Sequence, residues 1–142
     1  MRIAIIGLGN QGRKRQVVAG HDVVATVDPY NPEASYKEVG PIPPSSFDAG
    51  FVCTSDGAKP KIVEYLIGAG KHVLVEKPFA TNIDDAKTLI AAGRKHNIPI
   101  LAGHYRRFNT QVETARDIVR SGAIGNLVGV SANSVSYKHL KL

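Results

Sequence analysis

A doubly wound α/β fold with a mostly parallel sheet (α/β class) is the architecture this sequence predicts. Short apolar runs alternate with amphipathic stretches along nearly the whole chain, the pattern of strands and crossover helices. The first run, Arg2 to Ile6, is continuously apolar after its arginine, as expected of a strand buried on both faces. A glycine-rich hexapeptide, Gly7-Leu8-Gly9-Asn10-Gln11-Gly12, follows it directly.

The elements follow in order. Asn10 to Ala19 reads as a short helix stopped by Gly20, and Asp22 to Val27 as the second strand. Five of the eight prolines lie between Pro29 and Asp48, so this stretch reads as a connecting loop with at most one turn after Pro32. Phe51 to Thr54 is a third strand, and Pro60 opens a helix whose periodic set is Ile62, Val63, Leu66 and Ile67. His72 to Val75 is a fourth strand. Thr81 or Asn82 caps a helix with an apolar stripe at Ile83, Ala86, Leu89 and Ile90. Ile100 to Ala102 makes a fifth strand, and Val112, Ala115, Ile118 and Val119 mark a last helix ended by Gly122. From Leu127 to Tyr137 the pattern is strand-like again, either an edge strand or the start of a second domain.

With 142 residues and 43% apolar content the chain has material for one real core. Its net charge of +6 is spread over several helices, aromatics are only 6%, and no basic run exceeds Arg13-Lys14-Arg15. Solvated helix faces and a local site for an anionic small molecule explain that excess better than nucleic acid does. No stretch approaches the ~18 apolar residues of a membrane span, and the N-terminus lacks the pattern of a signal peptide. A single cysteine, Cys53, fits a reducing, cytoplasmic setting.

Three features carry chemistry. In the hexapeptide, Gly7 permits a tight turn, Gly9 lets the backbone approach a pyrophosphate, and Gly12 lets helix and strand pack closely. The amides of Asn10 and Gln11 then open the helix toward an anion. The competing reading is a glycine-rich turn with no ligand. Asp28 closes the second strand 21 residues after Gly7, where a carboxylate accepts from a ribose 2′-OH and repels a 2′-phosphate. Pro29, Tyr30 and Asn31 bring no cation, so NAD is expected over NADP. The alternative is an aspartate that merely caps the loop. S-adenosylmethionine-dependent methyltransferases share both features and stay in play on them. Third, Glu76 and Lys77 close the fourth strand at the edge where open α/β sheets bind ligands. Lys77 there is either a charge-assisted donor to a substrate oxygen or half of a surface ion pair. His104 ends the fifth strand at the same edge, and a hydrogen-bonded structural role is the simpler reading. The histidines show no metal-ligand spacing and no metal is expected.

The hexapeptide, Asp28, the block Ala69-Gly70-Lys71-His72-Val73-Leu74-Val75-Glu76-Lys77-Pro78-Phe79-Ala80 and Tyr105-Arg106-Arg107-Phe108-Asn109 together resemble the Gfo/Idh/MocA oxidoreductases. The resemblance runs in order over nearly the whole chain. It implies a Rossmann cofactor domain at 1–122, then a linker and the first strand of a largely absent α+β substrate domain at 123–142. It implies hydride transfer to or from a sugar, cyclitol or related polyol, with the whole enzyme a homo-oligomer. Matched by position, Gly7, Gly9, Asn10 and Gln11 would hold the pyrophosphate, with Gly12 in the same cofactor-binding loop, and Asp28 the ribose. Thr54 and Ser55 would line the middle of the cofactor, Glu76 and Lys77 its nicotinamide end, with Lys77 catalytic. Arg106 or Arg107 either lines the cleft or forms a structural salt bridge.

Two departures stand out: the stretch from Asp28 to Asp48 is short and lacks the family's usual helix, and Lys59 stands where members often carry histidine. The family's catalytic histidine and aspartate lie beyond Leu142, so the chain alone is expected to bind NAD and turn over little or nothing. The rival reading is a non-catalytic NAD-binding or regulatory module.

Overall fold

The computed structural model describes residues 1–133. The chain divides into two compact units, Met1–His104 and a second beginning at Tyr105.

The first unit holds five parallel strands: β1 (Ile3–Ile6), β2 (Val23–Val27), β3 (Ala49–Val52), β4 (His72–Val75) and β5 (Ile100–Ala102), in the order β2-β1-β3-β4-β5. Helix α1 (Asn10–Ala19) connects β1 to β2, α2 (Lys59–Gly68) connects β3 to β4, and α3 (Ile83–Lys95) connects β4 to β5. The sheet is wound on both faces, as the alternation of the sequence requires. Ala4 and Ile6 of β1 join Val52, Val75 and the α2 residues Val63, Leu66 and Ile67 in one apolar cluster. Ile3 and Ile5 point the other way, to a cluster with Leu8, Ala19 and Phe51. All four residues of β1 are buried, which explains its unbroken apolar run.

The boundaries differ from expectation mainly at β3, which starts at Ala49 and ends at Val52. Gly50 hid that start, because glycine weakens a strand signal. Here it is needed: a Cβ at position 50 would lie 2.5 Å from Leu66 Cδ1, so α2 packs directly onto the strand backbone. Asn82 is the cap of α3, its side chain accepting from Asp85 N at 2.7 Å. The apolar stripe of that helix is rotated from the one the sequence indicates. Leu89 and Gly93 are buried while Ile83 and Ile90 are exposed, because Gly93 fits tightly against the Ile98 carbonyl and Ile100.

The proline-rich connection contains a single turn of 3-10 helix at Pro44–Ser46. It is nonetheless pinned. Tyr36 makes an isolated parallel bridge to Val27 at the edge of β2, and Ile42 and Phe47 sink into the core. The Lys71 ammonium stands 4.9 Å from the centre of the Phe47 ring and donates to Phe47 O at 2.9 Å.

In the second unit a 3-10 turn, Tyr105–Phe108, precedes α4 (Thr110–Arg120), which Asn109 caps by accepting from Gln111 N at 3.0 Å. Its stripe residues Val112, Ile118 and Val119 are exposed. Residues 127–133 form no strand, since a strand exists only against a pairing partner. Residues 134–137 of that expected strand lie outside the described residues.

Leu66 is fully buried over Gly50, so Leu66→Ala leaves a void that glycine cannot fill. It should lower stability by about 2–5 kcal/mol with an unchanged urea m-value, read by equilibrium unfolding.

Candidate functional site

The carboxyl ends of β1, β2 and β3 open into one cleft of about 740 Å³. Five of the expected site residues line it: Gly7, Gly9, Asp28, Thr54 and Ser55. Asn10 and Gln11 continue into the exposed first turn of α1, and Gly12 is buried behind it.

Each glycine of the loop has its own physical reason. Gly7 sits at φ 92°, a conformation that side-chain-bearing residues rarely adopt. Gly12 packs α1 onto the turn so closely that a Cβ would fall 1.8 Å from Gly7 O. A Cβ on Gly9 would meet nothing within 4 Å, so packing does not demand glycine there. What glycine preserves is open space above the backbone that begins α1. That helix has no side-chain cap and no acidic residue in its first turn, so the positive end of its dipole is unopposed there, beside the Gly9 backbone that lines the cleft.

Asp28 is tied into the same loop. Its Oδ2 accepts from Leu8 N at 2.8 Å, and its Oδ1 accepts from Tyr30 N at 2.9 Å and Asn31 N at 3.0 Å. The Leu8 amide above all, then those of Tyr30 and Asn31, hold the carboxyl below its ordinary value against the opposing effect of burial. The Lys37 charge adds to this. Lys37 lines the cleft and donates to Asn31 O at 2.9 Å. The cation near Asp28 therefore comes from beyond the three residues that follow it, brought back by the bridge between Tyr36 and Val27. A carboxylate offers about four lone-pair positions; three are engaged, so Asp28 can accept one further donor.

Beyond β3, Thr54 Oγ1 is buried without a hydrogen-bond partner among the described residues, while Ser55 is exposed at the cleft wall. Burying a hydroxyl unpaired costs about 1–3 kcal/mol, which a ligand in the cleft would relieve. Open space over Gly9, an acceptor with spare capacity at Asp28 and an orphaned hydroxyl at Thr54 fit a dinucleotide laid across the strand ends. The adjoining thiol of Cys53 is pushed up to about 12, by burial first and the Glu76 charge second, so it is no nucleophile at neutral pH.

Glu76 and Lys77 follow β4, outside the lining of this cleft. Glu76 is 4% exposed. Its Oε1 accepts from Arg15 Nε of α1 at 2.7 Å and forms an ion pair with the same guanidinium, and Gly103 leaves room for the carboxylate. Lys77 is exposed. Sequence reasoning did not find two of the residues that hold this segment. Arg15 is 61 positions from its partner, beyond any local signal. Lys59 was legible in part, since Asp56 and Lys59 have the spacing of a helical i,i+3 ion pair. It is buried, and its ammonium donates to Asp56 Oδ1, Lys77 O and Pro78 O. The His104 ring is exposed at the end of β5, Arg106 and Arg107 belong to the second unit, and among the described residues no His, Cys, Asp and Glu side chains group as metal ligands. His139 lies outside the described residues.

The model of an oxidoreductase family with an NAD-binding Rossmann fold, GFO_IDH_MocA, matches residues 1–104. Myo-inositol 2-dehydrogenase of Thermotoga maritima is 32% identical over 78 residues, covering 55% of this chain and 23% of that protein. An uncharacterized oxidoreductase of Streptococcus pneumoniae, 27% identical, aligns with 90% of this chain and 38% of its own length. Among solved structures, scyllo-inositol dehydrogenase of Lactobacillus casei with bound NAD(H) and scyllo-inositol superposes with a TM-score of 0.76 at 24% identity. It covers 89% of this chain and 42% of that one. The chain thus spans well under half the length of the relatives it matches.

Two outcomes test the geometry of the loop. Gly12→Ala must push α1 off the turn and should cost at least about 2 kcal/mol. Gly9→Ala should stay within about 1 kcal/mol of the unaltered chain, a poorer cap being offset by a stiffer unfolded chain. Both are read by urea unfolding. Because folding lowers the Asp28 pKa, its contribution is complete above about 3.9, the ordinary aspartate value. It is lost as pH falls through the lower folded value. The stability gap between the unaltered chain and Asp28→Asn should therefore close on acidification, read by thermal melts from neutral pH downward.

Proposed function

The chain belongs to the Gfo/Idh/MocA oxidoreductases with an NAD-binding Rossmann fold, and on that premise we propose that it is the cofactor-holding part of a dehydrogenase for a sugar, cyclitol or related polyol. The observation that carries this reading is the meeting, in one cleft, of the open backbone at Gly9, the Asp28 carboxylate and the unpartnered Thr54 hydroxyl. Its volume, about 740 Å³, is within the range of sites that enclose small molecules.

NAD supplies the hydride-accepting ring; everything else in this reading is work for the protein. The amides at Gly9, Asn10 and Gln11 take the diphosphate charge, with Gly7 and Gly12 setting their direction. Asp28 accepts from the adenosine ribose and repels a 2′-phosphate; Lys37, the cleft cation beside it, opposes that repulsion, so the preference for NAD over NADP rests on Asp28. Thr54 and Ser55 border the middle of the dinucleotide. Glu76, anchored by Arg15, and Lys77 border the nicotinamide end of the dinucleotide, the position from which Lys77 also reaches the substrate. The Lys77 ammonium holds the substrate oxygen and stabilises the negative charge that builds on it.

Residues 1–122 form the cofactor domain in this reading, and 123–142 lead into a substrate domain that carries the acid–base group. The 142 residues alone then bind NAD with little or no turnover. The whole enzyme is a cytoplasmic homo-oligomer without nucleic-acid or membrane partners. No helix among the described residues is long and apolar enough to cross a membrane.

Calorimetry should show NAD binding by the chain. Asp28→Ala removes a hydrogen bond to a charged group, about 1.5–3 kcal/mol, and should weaken NAD roughly 10- to 100-fold while narrowing the preference over NADP. Equal affinity of the unaltered chain for both cofactors contradicts the role of Asp28. Binding of S-adenosylmethionine in place of NAD overturns the reading as a whole.

A further inference from the structure

We propose that Lys59 is the positioning residue for Lys77: a buried ammonium that fixes the backbone from which the substrate-facing lysine projects. The inference rests on the role just given to Lys77 and extends it to a residue no comparison assigns.

Lys59 is 2% exposed, and lysine is almost never buried to that degree unless its charge is matched. Its Nζ lies 2.8 Å from Asp56 Oδ1, 3.0 Å from Pro78 O and 3.2 Å from Lys77 O. An ammonium has three donors and no acceptor, so three acceptors satisfy it completely. The location is costly in other respects. Lys59 opens α2, where the helix dipole opposes a cation, and its Asp56 partner is half exposed. An apolar side chain would pack there without a desolvation cost.

What an apolar residue would forfeit is the cross-link. Two of the three bonds go to consecutive carbonyls immediately after β4, and the third ties them to the turn that follows β3. Arg15 of α1 holds the preceding residue, Glu76, by its carboxylate. The helices carrying the two cations pack on opposite faces of the sheet. Cations from both faces therefore hold the segment on either side of the Lys77 Cα, while the Lys77 side chain stays exposed. Lys59 thus fixes the direction in which Lys77 leaves the backbone.

The test uses the full chain, NADH, and ADP-ribose, which lacks the nicotinamide. In the unaltered chain labelled with 15N-lysine, the Lys59 ammonium should give a resonance protected from solvent exchange; one that exchanges as fast as exposed lysines overturns the cross-link without any variant. Lys59→Met should weaken NADH at least fivefold and ADP-ribose less than twofold, and should alter the fluorescence of bound NADH as Lys77→Ala does. In a Lys77→Ala background the same change should add less than twofold, because its effect passes through Lys77. Equal losses for both ligands, or independent losses in the double variant, reduce Lys59 to a structural residue and overturn the inference while the cofactor reading stands. If the unaltered chain binds neither ligand, the cofactor reading falls and this inference falls with it.

Discussion

The approach of α1 to the end of β1 is the constraint on which the rest of the cleft depends. With Gly12 backed against the Gly7 carbonyl, no side chain separates helix from turn. The helix axis is therefore set by backbone contact, which is stiffer than any packing of flexible side chains. Two consequences follow from that one contact. The N-terminus of α1, without a side-chain cap, follows the Gly9 backbone that lines the cleft, and one helical turn further on, Arg15 reaches across to Glu76, just past β4.

Charge is distributed around the cleft in matched groups. Asp28 spends its carboxylate on three backbone amides, one of them in the glycine loop, so the residue that shapes the loop is also the one free to receive a further donor. On the β4 side the matching is reversed in sign: Arg15 and Lys59, each largely shielded from water, meet a buried carboxylate and two carbonyls. The bonds of Asp28 to Leu8, Arg15 to Glu76 and Lys59 to the two carbonyls join groups distant in sequence. They hold the ends of separate strands in a common frame, which local hydrogen bonding cannot do.

How much of this was legible in the sequence follows from the range of each interaction. The strands β4 and β5, helix α1 and the Asn82 cap were readable because glycines, apolar runs and capping residues act within a few positions. The glycine loop and Asp28 were readable because their spacing reflects a single strand-helix-strand unit. Ile42 and Phe47 were hidden among prolines, since a residue that plugs the core from an irregular loop leaves no periodic trace. The exposed stripe of α4 shows the converse: periodicity reports a face suited to burial and says nothing of what covers it. Arg15 was out of reach because its meaning lies in a partner brought by tertiary structure. Lys59 gave only half its signal, the aspartate three positions earlier, while the two carbonyls that justify its burial carry no side-chain identity at all.

Cys53 adds a practical dimension. It is the one sulfhydryl in the chain, and burial raises its pKa well above the ordinary thiol value, which disfavours the reactive anion at neutral pH. Maleimide and iodoacetamide reagents, which attack the thiolate, are therefore disfavoured at this thiol. A cysteine engineered onto the exterior would ionise more readily, so a fluorophore or spin label would favour it with the native thiol left in place on the wall of the cleft.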